Sequence, residues 1–225
     1  MRYLSVIAVL LLTPAPLLAA TEVTGDLGEN RNLDFGLRFA SHRNSLDYDG
    51  ISRDTTVKWI SAGWREPFGP VQLGLRLGYT FLTQTGNPAT QGLELDGYHA
   101  GISLALDIAR YRRGRLFFSA DYIYQEVKHE GATQTVEMSW HDPRVNVGLH
   151  HGLGRQVFLL VGGSYGRTSG TERVENSAIT TRHFSRNDGG AFLGLDITDN
   201  NRGTVGFVIR TGLDRGGSIY FKRLF

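Results

Sequence analysis

Two histidine–carboxylate pairs lie close together in the sequence, His141 beside Asp142 and His183 shortly before Asp188. A carboxylate that orients an imidazole is half of the apparatus of acid–base and nucleophilic hydrolysis. Adjacent residues of an extended chain point to opposite faces, so His141 and Asp142 do not form a dyad. His150 and His151 fall at a predicted turn, where paired imidazoles are solvated. Small acyl hydrolases use a serine and a histidine one strand step apart, and no convincing equivalent stands out; nor has any cluster of His, Asp and Glu metal-ligand spacing. The residues therefore nominate no catalytic group, no metal and no cofactor.

The charges that do form a pattern are Asp34, Arg38, Arg76, Asp107, Asp121, Arg144, Asp196 and Arg210, four acids and four bases. Each sits on the polar parity of a segment whose other parity is apolar. In VQLGLRLGYTFL, residues 71–82, Val71, Leu73, Leu75, Leu77, Tyr79 and Phe81 share one face, while Gln72, Arg76 and Thr80 share the other. A period of two is the strand period. Turning that strand over would put Arg76 into the medium met by the leucines, at about 2–4 kcal/mol if the medium is the middle of a bilayer. The eight charges are thus expected inside a closed sheet, paired, because unpaired charges in a narrow interior are costly.

Segments of this kind recur ten times. They are predicted near Leu33–Ala40, Thr55–Trp64, Val71–Leu82, Leu95–Ala109, Leu116–Gln125, Val136–Leu149, Val157–Tyr165, Ala191–Ile197, Val205–Arg210 and Gly217–Phe225. In the second, Val57 and Trp59 have one parity and Ile60, Ala62 and Trp64 the other. In the sixth, Val136, Met138 and Trp140 have one and Val145, Val147 and Leu149 the other. A bulge near Trp59 and another at Pro143 would reconcile each pair. Eight strands is the alternative if the second strand or the final hairpin is misread.

Connections alternate in length. Polar stretches at Ser41–Asp54, Thr83–Glu94 and Thr168–Asp188 are expected as long loops, with a shorter one from Lys128 to Gln134. REPFGP, RYRRG, HGLG and DNNRG are expected as tight turns. Aromatics gather at strand ends: Phe39, Tyr79, Phe81, Tyr98, Tyr122, Tyr124 and Tyr165 at one level, Trp64, Phe68, Tyr111, Phe118 and Phe225 at the other. Amphipathic rings favour the two interfaces of a bilayer.

The first twenty residues have the form of a cleaved signal peptide, with Arg2, an apolar run from Leu4 to Leu12, and Leu18-Ala19-Ala20 before the cut. A short N-terminal periplasmic segment, 21–32, would follow, then a barrel over 33–225. No continuous apolar run is long enough for a transmembrane helix. With 24 Lys plus Arg against 22 acidic residues, the chain lacks the basic excess of a nucleic-acid binder. It has no cysteine, so a hydrogen-bonded ring must supply the stability that disulfides give many secreted domains.

The chain stops at Phe225, with Phe221 and Ile219 on the same face. This resembles the C-terminal signature of bacterial outer-membrane barrels, from which Arg223 departs. Together with the strand pattern, the chain resembles small Gram-negative barrels of the outer-membrane-protein-A, X and opacity-protein kind. The resemblance implies an all-β, up-and-down transmembrane barrel in the bacterial outer membrane. Its partners would be membrane lipid, lipopolysaccharide and the barrel-assembly machinery. The role implied is structural or surface interaction, with long extracellular loops meeting an extracellular ligand and a charged, plugged lumen. A narrow porin-like channel is one alternative. An outer-membrane protease of the omptin type, also ten-stranded, or a lipid-modifying enzyme is another.

Overall fold

The structure is a computed structural model that describes residues 33–199 and 203–225. The expected signal peptide and the 21–32 segment lie outside the described residues. Ten strands follow one another: β1 (Asp34–Tyr48), β2 (Ile51–Phe68), β3 (Val71–Thr85), β4 (Glu94–Tyr111), β5 (Gly114–Glu130), β6 (Thr135–Gly152), β7 (Val157–Glu175), β8 (Ile179–Asp199), β9 (Gly203–Arg210) and β10 (Arg215–Leu224). Each pairs antiparallel with its sequence neighbour, and β1 pairs with β10 to close the ring. The fold is the ten-stranded up-and-down barrel that the alternation predicts.

Its lower section has an apolar outer wall. Leu75, Leu77, Ile102, Val147, Leu195, Phe207 and Phe221 are all exposed, because their parity faces away from the barrel axis. On β3 the outward apolar face runs from Val71 to Phe81, the roughly 9–11 residues that a tilted strand needs to cross a bilayer. Rings crowd the upper edge of this belt, where Tyr79 lies 5.1 Å from Phe81 and 5.2 Å from Tyr98, edge to face. We call this the membrane section. Its basal end carries both described chain ends and the short turns.

Above the belt the barrel continues, and here the sequence-based expectation needs correction. Ser41–Asp54, Thr83–Glu94 and Thr168–Asp188 are not three long loops. The first is strand except for a turn at Asp49–Gly50, both with positive φ. The third is strand except for the tip at 176–178. Only residues 86–93 of the second form a true loop. These stretches look like loops in sequence because their outward face meets water and is polar. Their inward face carries the apolar residues instead: Leu46, Leu82, Leu95, Val127, Val136, Met138, Trp140, Val174 and Phe184 form one buried cluster.

The same inversion explains why the two expected bulges are absent. Register runs unbroken through Lys58–Phe81, Trp59–Thr80 and Ile60–Tyr79, and Tyr122 faces Pro143 in an unshifted ladder. Val57 and Trp59 point inward while Ile60 and Trp64 point out to the belt. The strand does not change parity; its surroundings do. Among the described strands the register shifts between Asp107 and Ala109 of β4.

Strand number changes with height as well. β9 and β10 are short, joined by a single helical turn, Gly212–Asp214. Above that turn β1 and β8 meet directly, with Asp47 opposite Ser185 and Arg186 Nη1 donating to Ser45 O at 3.0 Å. The Tyr48 and Phe184 rings pack 5.2 Å apart on the inner side of this seam. The membrane section therefore has ten strands and the distal section eight, and eight is the number whose interior side chains just fill. Gly212, at φ +78°, makes the turn possible, and a Cβ on Gly190 would overlap the Thr211 carbonyl oxygen against which it lies.

Candidate functional site in the lumen

Every strand crosses the membrane section with one parity inward, and the eight charges singled out in the sequence all lie on it. They occupy two levels. At the upper level Arg76 Nη2 lies 3.8 Å from Asp121 Oδ1. Arg210 Nη1 donates to Asn146 Oδ1 at 3.2 Å, and Asn146 Nδ2 in turn donates to Ser119 Oγ at 3.0 Å and Asp121 Oδ2 at 3.3 Å. Arg144 pairs with Asp214. Arg76 also lies 5.7 Å from the centre of the Trp59 ring and Arg210 5.1 Å from that of Phe192.

Three of these partners were not foreseen. Asp214 comes from the short turn between β9 and β10, which has no periodicity to read, and reaches down into the barrel. Asp142 accepts from Gln125 Nε2 at 2.7 Å, Trp140 Nε1 at 3.1 Å and the Thr168 hydroxyl. Its inward parity follows from Val145 and Val147 facing out; the bulge expected at Pro143 concealed it. His150 is not in a solvated turn. It lies in the last residues of β6 inside the barrel, its ring stacked 4.9 Å from that of Phe158 and its Nε2 3.2 Å from Asp196 Oδ2. His151 faces out and meets Tyr111 at 2.9 Å.

The lower level surrounds a vestibule of about 910 Å³ that extends from the β2–β3 turn, at Pro67, Gly69 and Pro70, up to Arg76 and Arg210. At its mouth Asp107 is held by Arg110 at 2.9 Å and Arg115 at 3.2 Å. Deeper, Asp196 accepts from the Tyr220 hydroxyl as well as facing His150. A Cβ on Gly206 would overlap the Tyr220 ring, so glycine is what lets that ring lie flat across the wall. Arg38 and Lys222 sit over the same ring, 5.0 and 4.6 Å from its centre. Asp34 lines an adjoining recess, and its Oδ1 is buried with no hydrogen-bond partner among the described residues.

Over both levels lies the apolar cluster of the distal section. Leu95, Val136 and Met138 have no exposure to solvent at all. A polar knot caps the cluster: Glu172 accepts from the Tyr48 hydroxyl at 3.1 Å and from Asn87 Nδ2 at 2.6 Å. Asn87 and Thr90 belong to the 86–93 loop, which folds into the barrel mouth and binds Gln84. Burial, with the Glu172 carboxylate beside it, raises the Tyr48 phenol well above its ordinary range.

The structure does not assemble the His–Asp pairs of the sequence. His141 faces outward against Tyr122 and Tyr124, whereas Asp142 faces in. His183 is exposed on the outer wall, while Asp188 turns inward to Arg186 at 2.7 Å. At the other end of the chain, Ile219, Phe221 and Phe225 are exposed on the outer wall. Arg223, which shares that face, lies 5.5 Å from the Phe225 ring at the basal rim.

No family model matches the sequence, and no curated protein matches it. Solved structures do match. The outer membrane protease OmpT from Escherichia coli superposes with a TM-score of 0.53 at 9% identity, over 88% of this chain and 98% of that one. The translocator domain of the autotransporter NalP from Neisseria meningitidis gives 0.47 at 13% identity, over 86% and 88%. Ail, the attachment invasion locus protein of Yersinia pestis, gives 0.37 at 9%, over 86% and 98%. The likeness to OmpT is one of fold, and the fold is that of outer-membrane barrels.

Proposed function

We propose that this protein is an integral barrel of the bacterial outer membrane, closed to ion flow, whose distal section stands outside the cell as a rigid contact surface. The observation that carries this reading is the dry apolar cluster of the distal section. Any path through the lumen would have to pass Leu82, Leu95, Val127, Val136 and Met138, each at most 1% exposed. Beyond Glu172 of the capping knot, an ion crossing the cluster would meet apolar side chains that cannot replace its hydration. The charged levels beneath are then the lining of a blind chamber rather than a gate.

In this orientation the basal turns lie in the periplasm. The Tyr79, Phe81 and Tyr98 cluster sits where lipopolysaccharide meets the hydrocarbon. Ile219, Phe221 and Phe225 form the signature read by the barrel-assembly machinery. The contact surface consists of the tips at Asp49–Gly50, 131–134 and 176–178 with the 86–93 loop. It is braced by strands rather than carried on long loops, which preorganises it for binding.

Planar-bilayer recording of refolded protein tests the closed lumen. The expected result is no conductance for the native chain, for Arg76→Ala or for Asp121→Ala. Discrete single-channel steps from the native protein would replace this reading with the porin-like one.

A further inference from the structure

The vestibule has a charge imbalance that its internal pairs do not absorb. Seven arginine and lysine side chains line it against three aspartates, and the adjoining recess adds only Asp34. Each of the three aspartates is already engaged: Asp107 with Arg110 and Arg115, Asp121 with Arg76 and Asn146, Asp196 with His150 and Tyr220. Among the described residues Arg38, Arg65 and Lys222 make no ion pair with a carboxylate. Arg38 and Lys222 share only the face of Tyr220. All three line the same recess, with the Ser61 and Ser103 side chains beside them, and all three are only partly exposed.

Cations drawn out of water at membrane depth require an anion. One carboxylate would leave two of the three uncompensated. A phosphate group carries up to two charges on oxygens spread in three directions. It can take a guanidinium fork, an ammonium and hydroxyl donors at once. We propose that the recess formed by Arg38, Arg65 and Lys222 binds a phosphate group, the remainder of its carrier lying in the vestibule. A volume of about 910 Å³ is ample for a small molecule of that kind. That the phosphate enters from the periplasm rests on the orientation proposed above; the binding itself does not.

Two carriers share this chemistry, a soluble phosphate compound and the headgroup of a lipid. Titration calorimetry on the barrel refolded in a neutral maltoside separates them, with pyrophosphate as one probe and dihexanoyl phosphatidic acid as the other. Saturable one-site binding of at least one probe is expected, weakening as salt is added. Arg38→Gln and Lys222→Gln should each weaken it by about tenfold or more, a charge-assisted hydrogen bond's share. Arg112→Gln, in the basal turn outside the recess, should leave it unchanged. Tighter pyrophosphate binding assigns a solute and tighter lipid binding a headgroup. Heat-modifiable gel mobility confirms that each variant is folded. Absence of saturation with both probes, or equal binding by folded Arg38→Gln and Lys222→Gln, overturns the proposal. Channel recordings are independent of this result, so the chamber can prove closed and yet bind nothing.

Discussion

The membrane section and the distal section are built from the same strands with opposite polarity. In the first, ten strands turn Leu75, Ile102 and Val147 outward and keep Arg76, Asp121 and Arg144 inside. In the second, eight strands turn polar residues such as Thr83 outward and bury Leu82, Met138 and Trp140 within. β2 and β6 pass from one regime to the other without a register break. Alternation tells which residues share a face. Which face is apolar depends on whether lipid or water lies outside, and whether the interior is wide enough to hold water.

The comparison can be broken most sharply inside the distal core. Trp140→Ala should cost about 3–5 kcal/mol, the loss and cavity expected for a buried tryptophan, read from urea-induced unfolding of the lipid-reconstituted barrel. A cost below about 1 kcal/mol would mean that the core is not packed. Along β3 one substitution can probe both media. Leu75→Arg, on the belt, should cost about 2–4 kcal/mol. Thr83→Arg, on the same face one section higher, should stay within about 0.5 kcal/mol. Equal costs at the two sites would place the bilayer edge elsewhere.

At the junction, Asp214→Asn removes the partner of Arg144. It should cost about 2 kcal/mol, low for a buried pair, because Asp142 lines the same pocket as Arg144. Combining it with Arg144→Gln should cost less than the sum of the single changes. Additive costs would show that the two do not interact. The smallest effect belongs to the distal rim. Lys128, hydrogen-bonded to Glu130, holds that carboxyl below its usual range. Whatever this pair contributes is present above the ordinary carboxylate range and is lost as pH falls through the lowered value. Both groups stand in water, so Glu130→Gln should leave the unfolding midpoint unchanged at pH 7 and at pH 3 alike. A shift at pH 7 alone would reveal a buried rim.

Within the membrane section the inward or outward direction of most strands was legible, since a charge on the lipid face is costly enough to decide it; that of β2 was not, because Val57 and Trp59 have one parity and Ile60 and Trp64 the other. The distal strands were not legible as strands. Thr168–Asp188 reads as a polar loop because half of its residues face water, and its inward residues, such as Gly170, Glu172 and Phe184, are too mixed to show a period. Asp142 and His150 could have been placed inside by counting from Val145, Val147 and Leu149. Asp214 could not, because a short turn carries no parity.

The sequence by itself pointed to ten strands, with eight as the alternative, to the lipid-facing belt and to an interior position for the eight charges, because each follows from a local period of two and the cost of charge in hydrocarbon. Only the tertiary structure decided the rest. Shortening β9 and β10 brings β1 against β8, and the narrowed ring can then close over its own side chains. The resulting apolar core lies over the charged lumen and is the basis on which we propose that the lumen is closed. The fold leaves Arg38, Arg65 and Lys222 together in one recess with Asp34, none of the three in an ion pair among the described residues. Those outcomes depend on ring closure and on contacts between residues far apart in the chain, which no local pattern encodes.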